Sequence, residues 1–492
     1  MSGLDIPALV DAAEVPEWSD EVDVVVIGFG IGGGCAAVSA AAAGARVLVL
    51  ERAAVAGGTT AMAGGHFYLG GGTAVQEATG HADSPEQMYK YLVAVTREPE
   101  HDKIRAYCND SVEHFDWLEQ LGVHFERSYY PHKAVIQPNT EGLMYTGNEK
   151  VWPFRDIAVP APRGHKVPVP GDTQGAALVI ELLLKRAAEL GVQIRYETGA
   201  TNLVVDGTGV DKPRVAGVKW KRFAETGAVR ANAVVIAAGG FVMNPDMVAH
   251  YTPKLAEKPF VLGNTYDDGL GIRLGVAAGG ATKHMDQAFI TAPVYPPAIL
   301  LTGLIVNNLG RRFVAEDSYH SRTSGFVMDQ PDNAAFLIVD ESHLQRPSIP
   351  LVTLIDGWET VEEMEAALGI PEGALVSTLE HYNRHAAAGV DPDFHKQPEF
   401  LAPQDKGPWA AFDLSLGKAM YSGFTVGGLA TTVDGEVLRD DHTEVAGLYA
   451  AGACASNIAQ DGKGYASGTQ LGEGSYFGRR AGTHAAEAAR TR

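Results

Sequence analysis

The chain has 492 residues, of which 46% are hydrophobic and 20% are charged, and its formal net charge is −21. This length exceeds what one hydrophobic core usually serves, and the composition is globular, so we expect at least two folded domains. The negative charge repels nucleic acid and anionic membrane surfaces, which argues against both as partners. The three cysteines are far apart and form no CxxC pair, which argues against disulfides and a metal site and favours a cytoplasmic location.

Two uncharged stretches are long enough to suggest a membrane span. The first, residues 24–45, is interrupted by a cluster of glycines and is rich in alanine, so its hydropathy is weak. The second, residues 287–310, contains three prolines and is not expected to form a continuous helix. The N-terminal segment is acidic and lacks the charged-then-apolar order of a signal peptide. We therefore expect no stable membrane span.

The most informative segment begins with a strand. Val24–Ile27 is a run of β-branched residues, which is typical of a buried parallel strand. A helix of small residues is predicted over Cys35–Ala43, and a second buried strand over Arg46–Leu50, which Glu51 ends. This order predicts the first unit of a parallel, Rossmann-type sheet.

The turn between the first strand and the helix carries a dinucleotide fingerprint, G-x-G-x-x-G, at Gly28, Gly30 and Gly33. Gly28 permits a tight turn, Gly30 lets the backbone reach a pyrophosphate, and Gly33 packs the helix on the strand. The helix N-terminus attracts phosphate, and Glu51 is placed to accept hydrogen bonds from a ribose. The alternative is a glycine-rich turn without a ligand, which the full strand–turn–helix–strand–acid context disfavours.

A second glycine cluster indicates which dinucleotide binds. Gly57–Thr60 and the pair Gly64-Gly65 follow the second strand and suggest more phosphate and ring contacts than NAD needs. Because G-x-G-x-x-G occurs once, two separate dinucleotides are not expected. The cofactor predicted is FAD.

Helices are predicted in two further regions. Ser84–Gly122 is mostly helical in pattern, with Ser84 as the N-cap. Gly171–Gly191 is amphipathic, and Asp172 or Thr173 could cap its start.

Strand patterns return in the later chain. Residues 192–206 and 215–220 are predicted strands, and residues 230–241 contain a buried strand that runs into Gly239-Gly240. Residues 445–456 repeat that pattern, and a final helix is predicted from about Gly474.

Between the strand pattern at residues 230–241 and the one at residues 445–456, the composition shifts toward prolines and aromatic residues. We interpret residues 282–405 as an inserted substrate domain. It would divide the FAD-binding domain into residues 1–281 and 406–492.

Several motifs, in order along nearly the whole chain, resemble those of the FAD-dependent fumarate reductase and 3-ketosteroid dehydrogenase superfamily. They read GGTTAMAGG, AVVIAAGGF, DDGLGIRLGVAAGGA, LIVNNLGRRFVAED and GLYAAGACAS. The pairing of KGYASGTQLGEGS with AEDSYHS is most similar to the 3-ketosteroid Δ4-(5α)-dehydrogenases. The resemblance implies a flavin-dependent oxidoreductase of the α/β class, in which a smaller α+β cap domain interrupts a Rossmann-type FAD-binding domain.

The resemblance also implies a set of cofactor contacts. Membrane-complex fumarate reductases link FAD to a histidine in the stretch that matches GGTTAMAGG, where this chain has none before His66, so the FAD is expected to be non-covalent. The cofactor-binding residues implied are Gly28, Gly30, Ile31, Gly32, Gly33, Glu51, Arg52, Gly57, Gly58, Thr59, Thr60, Gly64, Gly65, Ala238, Gly239, Gly240, Gly452 and Gly472.

The catalytic residues implied are Tyr319, Tyr465 and Ser467. In the related reaction, hydrogens leave C4 and C5 of a saturated 3-ketone. Tyr465 would donate a hydrogen bond to the C3 oxygen, Ser467 would take the C4 proton, and FAD N5 would accept hydride from C5. A serine needs a partner to take its own proton, and the resemblance offers Tyr319 as that relay. The partner expected is a small apolar ketone, with an external electron acceptor that the sequence does not identify.

Other functions stay open at this stage. Δ1-dehydrogenases follow their loop tyrosine with Pro-Gly, where this chain has Ala466-Ser467, and dicarboxylate reducers carry an arginine that this loop lacks. A fumarate reductase-like enoate reductase is the alternative enzyme, and a redox sensor that only binds FAD is the alternative without catalysis. A sensor would not need the two hydroxyls.

Three arginines of the predicted cap are candidate ligands for an anionic substrate. Arg311, Arg312 and Arg322 could hold an anionic substrate, but we expect them to pair with Glu316 and Asp317. The histidines at positions 66, 284 and 320 are expected to have structural roles.

Overall fold

The computed structural model of the protein describes residues 5–171, 174–207, 212–256 and 260–491. The strands are β1 (Val10–Asp11), β2 (Asp20–Ile27), β3 (Val47–Leu50), β4 (His66–Tyr68), β5 (Leu143–Met144), β6 (Gly164–Lys166), β7 (Gln193–Arg195), β8 (Gly199–Asp206), β9 (Arg214–Arg222), β10 (Glu225–Ile236), β11 (Phe260–Val261), β12 (Thr282–Lys283), β13 (Ala288–Thr291), β14 (Leu304–Asn307), β15 (Ala335–Asp340), β16 (Thr353–Trp358), β17 (Trp409–Asp413), β18 (Ser422–Thr425), β19 (Gly428–Leu429), β20 (Glu436–Leu438) and β21 (Glu444–Ala450). The α-helices are α1 (Ile31–Ala42), α2 (Ala74–Ala78), α3 (Pro85–Val95), α4 (His101–Asn109), α5 (Ser111–Leu121), α6 (Phe154–Ile157), α7 (Ala177–Glu189), α8 (Pro245–Tyr251), α9 (Pro253–Ala256), α10 (Leu270–Ala277), α11 (His320–Val327), α12 (Val361–Ala367), α13 (Ala374–Ala387) and α14 (Thr469–Arg490).

The largest sheet in the described part of the chain has nine strands. Its order is β1-β8-β9-β10-β2-β3-β7, with β21 beside β10 and β20 beside β21. The four strands β10, β2, β3 and β7 are parallel to one another, and β21 is parallel to β10. Side chains of Val24, Val25 and Val26 are fully buried, which is why the run is apolar on both faces. The predicted Rossmann-type sheet is confirmed.

The high glycine and alanine content of α1 is explained by close packing against α14. Both α1 and α14 pack on the large sheet, and the two helices contact each other at backbone distance. A Cβ atom at Gly478 would overlap the carbonyl oxygen of Gly32, and one at Gly482 would overlap the carbonyl oxygen of Ala36. The final helix, predicted from about Gly474, begins earlier, at Thr469.

The predicted helical regions are confirmed with shifted ends. Ser84 caps α3, since its hydroxyl accepts a hydrogen bond from Gln87 N at 3.2 Å, and α4 and α5 follow. Helix α7 lies inside the range predicted as amphipathic. The two capping candidates proposed for it, Asp172 and Thr173, lie outside the described residues.

A second, smaller unit is built on a four-stranded antiparallel sheet in the order β14-β15-β17-β16. Helices α12 and α13 cover it, with Leu304, Ile338 and Leu375 in the shared core. The strands β14, β15 and β16 fall within residues 282–405, but β17 lies beyond that range and pairs with both β15 and β16. The predicted insertion therefore omits one strand of this sheet, because pairing with β17 is a long-range relation that local composition does not reveal.

Short sheets join the two units. The strands β11, β18 and β13 form a three-stranded sheet, named here the wall sheet, while β12 pairs with β19. A further small sheet contains β4, β6 and β5. Across residues 5–171, 174–207, 212–256 and 260–491, no helix is both long enough and apolar enough to cross a membrane.

The contact between α1 and α14 can be tested by filling it. Gly482→Ala forces a methyl group against the Ala36 carbonyl, and overpacking of this kind costs about 1–3 kcal/mol. We expect the FAD-loaded variant to unfold at lower urea concentration than the native protein. Glu487→Ala, on the exposed side of the same helix, is the control and should unfold within about 0.5 kcal/mol of the native protein. Equal loss in both variants would contradict the packing explanation.

Candidate active site

One cavity of about 640 Å³ extends from the large sheet to the wall sheet and the start of α11. One end, named here the glycine end, is lined by Gly28, Glu51 and Gly239, where parallel strands finish. The other, the hydroxyl end, is lined by Tyr319, Tyr465 and Ser467. The crevice beyond the carboxyl ends of parallel strands is where open α/β sheets bind ligands.

The fingerprint glycines have the local geometry that the sequence predicts. Gly28 has φ +93°, and a Cβ atom there would lie 2.6 Å from the Ala237 carbonyl oxygen. A Cβ atom at Gly33 would overlap the carbonyl oxygen of Gly28, so this glycine packs the helix on the turn. The first N–H of α1, at Ile31, donates to Thr60 Oγ1 at 3.0 Å. The start of α1 therefore faces the cavity beside the second glycine cluster.

Glu51 is held by backbone donors at the glycine end. Its carboxylate accepts hydrogen bonds from Phe29 N and Ala53 N, each at 2.8 Å. Burial raises the pKa of Glu51. Each carboxylate oxygen keeps a further acceptor site, which suits a ribose diol.

Asp267 is a polar residue of the glycine end that the sequence reasoning did not select. Thr59 Oγ1 donates to its carboxylate, and Asn264 N donates to Thr59 Oγ1 at 2.8 Å. A Cβ atom at Gly239 would overlap an Asp267 carboxylate oxygen, which explains that glycine. Asp267 lies in the quoted DDGLG motif, so the signal was present but unassigned.

Most of the predicted cofactor residues line the cavity. They are Gly28, Gly30, Ile31, Gly32, Glu51, Arg52, Gly58, Thr59, Thr60, Gly64, Gly65, Ala238, Gly239, Gly240 and Gly452. Three do not: Gly33, Gly57 and Gly472. A Cβ atom at Gly57 would meet the side chain of Ala61, and one at Gly472 would lie 3.0 Å from the Tyr68 carbonyl oxygen, so both positions are also constrained by packing. Their predicted contact with the cofactor stays a prediction.

The glycine end fits FAD. Glycines without side chains line a groove, a helix N-terminus faces it, and a buried carboxylate is positioned for a ribose. The groove then continues past Gly64 and Gly65 to the hydroxyl end, which a shorter ligand would not need.

Two of the three predicted catalytic hydroxyls are in direct contact. Tyr319 Oη and Ser467 Oγ are 2.6 Å apart and hydrogen-bonded. Tyr319 precedes α11, and Ser467 lies in the loop before α14. Tyr465 lines the same cavity, and its hydroxyl accepts a hydrogen bond from Gln470 N at 3.4 Å. Burial raises the pKa of Tyr465, so its phenol stays protonated at neutral pH.

A single segment positions both partners of this bond. The backbone N–H of Tyr319 donates to Asn148 Oδ1 at 2.9 Å, and the backbone N–H of Ser467 donates to the Thr146 carbonyl at 2.9 Å. Asn148 is fully buried. No sequence pattern connects this segment with the loop of Tyr319 or the loop of Ser467, so it was not predicted.

Aromatic rings form one wall of the hydroxyl end. Phe289 stacks on Phe424 with ring centroids 4.7 Å apart, and its edge meets Tyr465 at 4.8 Å. His320 is buried beside them, and its Nδ1 lies 2.6 Å from Thr291 Oγ1. A structural role for His320 is the expectation from the sequence, whereas no sequence pattern points to Thr291.

The hydroxyl end is electrically neutral. Charged side chains that line the cavity within the described ranges are Glu51, Arg52, Asp267 and Asp268, all at the glycine end. The positions 311, 312 and 322, where arginines were considered as anion ligands, are not among the lining residues.

The cap arginines have other partners. Arg312 pairs with Glu316 at 2.8 Å, as expected, and also with Asp391 at 2.9 Å. Asp317 instead accepts a hydrogen bond from the Gln397 side chain at 2.7 Å.

A buried carboxyl supports the loop that carries Tyr465. Glu473 accepts hydrogen bonds from Ile458 N at 2.8 Å and Ala459 N at 2.9 Å. Burial raises the pKa of Glu473 to about 7, and burial lowers that of Lys103 nearby to about 8. Lys103 donates to the Ser456 carbonyl at 2.8 Å, so both groups hold the same loop.

Sequence comparison identifies the class. The sequence model of the FAD binding domain family matches residues 23–471, so the chain belongs to that family and binds FAD. It is a flavin-dependent oxidoreductase, and the resemblance inferred from its motifs is confirmed.

Three individual relatives show which enzymes the chain is similar to. The crystal structure of 3-ketosteroid-Δ4-(5α)-dehydrogenase from Rhodococcus jostii RHA1, in complex with 4-androstene-3,17-dione, is 42% identical with a TM-score of 0.90, over 97% of this chain and 99% of that chain. The 3-oxo-5-alpha-steroid 4-dehydrogenase of Comamonas testosteroni is 26% identical over 90% of this chain and 94% of its own length. The fumarate reductase (cytochrome) of Shewanella frigidimarina is 27% identical over 95% of this chain and 77% of its own length.

The mode of FAD attachment can be measured directly. Because the segment corresponding to the linked histidine contains no histidine, we expect acid precipitation of the holoprotein to release a yellow supernatant. Flavin that stays on the washed pellet would contradict non-covalent binding.

The ionisation of Glu473 should appear in the stability of the holoprotein. A carboxyl whose folded pKa is raised from 4.5 to about 7 contributes stability that is fully present below its unfolded pKa and is lost as pH rises through 7. Glu473→Gln keeps a hydrogen-bond acceptor but cannot ionise. Its stability relative to the native protein should therefore rise by roughly 2 kcal/mol between about pH 5 and pH 8, measured by urea unfolding. Glu487→Gln, at an exposed position, should show no such trend.

Proposed function

We propose that the protein is an FAD-dependent 3-ketosteroid Δ4-(5α)-dehydrogenase, which introduces the C4–C5 double bond into 3-keto-5α-steroids. The observation that carries this proposal is the 2.6 Å hydrogen bond between Tyr319 and Ser467, in a cavity that also contains Tyr465. The similarity to the Rhodococcus jostii dehydrogenase over nearly the whole of both chains supports it.

Tyr465 is suited to act on the C3 oxygen. Removal of a proton from C4 places negative charge on that oxygen, and a neutral phenol hydrogen-bonds the charged oxygen more strongly than the ketone. Burial keeps the pKa of Tyr465 high, so the phenol remains a donor while the charge develops. Its ring is fixed by the edge contact with Phe289, which limits the directions in which the hydroxyl can point.

Ser467 and Tyr319 are suited to remove the C4 proton. A serine hydroxyl is a weak base unless its own proton can leave at the same time. As Ser467 Oγ takes the C4 proton, its hydroxyl proton passes to Tyr319 Oη along their hydrogen bond, and Tyr319 releases its own proton. Both hydroxyls end in their initial state, and one proton leaves the site.

The flavin, when bound, supplies the acceptor for the hydride from C5, and turnover also needs an external electron acceptor. The protein's part is to hold the ketone so that C4 faces Ser467 while the C3 oxygen faces Tyr465. Apolar walls contributed by Phe289, Phe424 and Pro293 suit the fused rings of a steroid.

The neutral lining distinguishes this proposal from the reduction of a dicarboxylate. A buried carboxylate without a cation costs several kcal/mol, and the described residues at the hydroxyl end include no arginine or lysine. A Δ1-dehydrogenase is disfavoured because Ala466-Ser467 stands where its relatives have Pro-Gly. A redox sensor gives no role to a coupled pair of hydroxyls.

The proposal is tested by anaerobic flavin reduction with a 3-keto-5α-steroid. Tyr465→Phe removes the hydrogen bond to the oxygen, and Ser467→Ala removes the base. Loss of a well-placed donor costs about 100- to 1,000-fold in rate, so each variant should bleach its flavin at least 100-fold more slowly. Both should still carry a full complement of FAD, because neither residue lies at the glycine end.

Controls separate catalysis from folding. Tyr89→Phe removes a phenol hydroxyl that bonds His101, outside the cavity, and should reduce its flavin at the native rate. Bleaching by succinate rather than by the steroid would favour the fumarate reductase-like alternative. A near-native rate in either active-site variant would exclude its residue from the assigned role.

A further inference from the structure

A buried turn lies behind the hydrogen-bonded pair Tyr319 and Ser467. It is named here the bridge turn and comprises residues 146–149, which follow β5 and belong to no helix or strand. All four of its residues are buried. Irregular backbone usually lies at the surface because its polar groups need partners, so a buried turn must find those partners inside the protein.

Two hydrogen bonds from the bridge turn hold the hydroxyl-bearing residues. The Thr146 carbonyl accepts one from Ser467 N at 2.9 Å. The Asn148 side chain accepts the other from Tyr319 N, also at 2.9 Å. Because the two anchors are only two residues apart in the chain, the turn fixes the spacing between the backbones that carry the two hydroxyls. The 2.6 Å hydrogen bond between Tyr319 and Ser467 depends on that spacing.

Buried side chains fix the bridge turn in its conformation. Glu149 closes the turn, because its carboxylate accepts a hydrogen bond from Gly147 N at 3.0 Å. The same carboxylate accepts a hydrogen bond from Tyr68 Oη at 2.9 Å. The backbone N–H of Asn148 donates to Tyr91 Oη at 2.8 Å. Glu149 and both tyrosines are buried, so water does not compete for these bonds.

Tyr68 joins the Glu149 carboxylate to the loop before α14. Its hydroxyl donates to Glu149, and its backbone N–H donates to the Gly468 carbonyl at 3.0 Å. Gly468 follows Ser467 directly in the chain. Glu149 is therefore connected to the backbone around Ser467 by two routes, one through the bridge turn and one through Tyr68.

We propose that Glu149 is a positioning residue for removal of the C4 proton, because it fixes the bridge turn that sets the separation of Tyr319 and Ser467. This inference rests on the proposed function and adds a residue to its mechanism. Glu149 is not among the residues that line the cavity, so it acts through the turn. Proton transfer needs a short, aligned hydrogen bond, and a displacement of about 1 Å can slow a reaction by about 100-fold. Steroid binding depends on the apolar walls, which the turn does not form.

The test is anaerobic, single-turnover bleaching of the flavin in the holoprotein by a 3-keto-5α-steroid. Glu149→Ala removes the acceptor of Gly147 N and of the Tyr68 hydroxyl, and should slow bleaching by about 10- to 100-fold. Its affinity for a Δ4-3-ketosteroid product, measured from the flavin absorbance, should be unchanged. Glu149→Gln can accept from Gly147 N and donate to Tyr68 Oη, so it should restore a rate within about 3-fold of the native one.

A second pair of variants applies if Glu149→Ala does not fold. Tyr91→Phe removes the acceptor of Asn148 N and should slow bleaching by about 3- to 10-fold, the usual size of one hydrogen bond, with product affinity unchanged. Tyr89→Phe makes the same substitution two residues earlier on α3, at a hydroxyl that bonds His101. It is the matched control and should bleach at the native rate.

The outcomes distinguish this inference from the proposed function. Native bleaching rates in Glu149→Ala and Tyr91→Phe, or an equal loss of rate and product affinity, would overturn the positioning role while the proposed function stands. If the steroid does not bleach the flavin of the native protein, the proposed function is wrong and the positioning role falls with it.

Discussion

The hydrogen bond between Tyr319 and Ser467 joins residues 148 positions apart in the chain. Tyr319 stands at the start of α11, and Ser467 precedes α14, which packs on α1 and on the large sheet. The two hydroxyls meet only when α11 is docked against the loop that precedes α14. Neither residue has useful reactivity alone, since a serine without a proton acceptor is a weak base. The hydrogen-bonded arrangement on which the proposed function depends is thus a property of the tertiary structure and not of either loop.

Contacts behind the hydroxyls hold this docking in place. Ser321 Oγ donates to the Gly462 carbonyl at 2.5 Å, and Lys463 pairs with Asp329, so α11 is attached to the loop at two further points. The exposed ion pair contributes little by itself, whereas the buried hydroxyl bond is not in competition with water. The loop can therefore contain several glycines and still present its hydroxyls in a fixed direction.

What could be predicted from sequence is what depends on neighbours along the chain. The fingerprint at Gly28–Gly33 is a local pattern whose spacing predicts a dinucleotide site, and Tyr465 and Ser467 were selected because their loop resembles that of a known family. Asn148 could not be selected in this way, and Asp267 lay in a recognised motif without a role, because each supports a residue more than a hundred positions away. The same limit applies to β17, whose place in the smaller sheet depends on strands from a distant segment.

In the proposed function, the apolar walls of the hydroxyl end account both for selectivity toward a ketone and for stabilisation of the charge that the ketone acquires. Where no charged side chain lines the described surface, a charged substrate loses its hydration without compensation. A ketone enters without that cost and becomes charged only during the reaction. In the same low-dielectric surroundings an oriented phenol stabilises the new charge more than it would in water. Burial also raises the pKa of Tyr465, which keeps that phenol neutral. Exclusion of water therefore keeps the hydrogen-bond donor protonated and also strengthens its electrostatic interaction with the new charge.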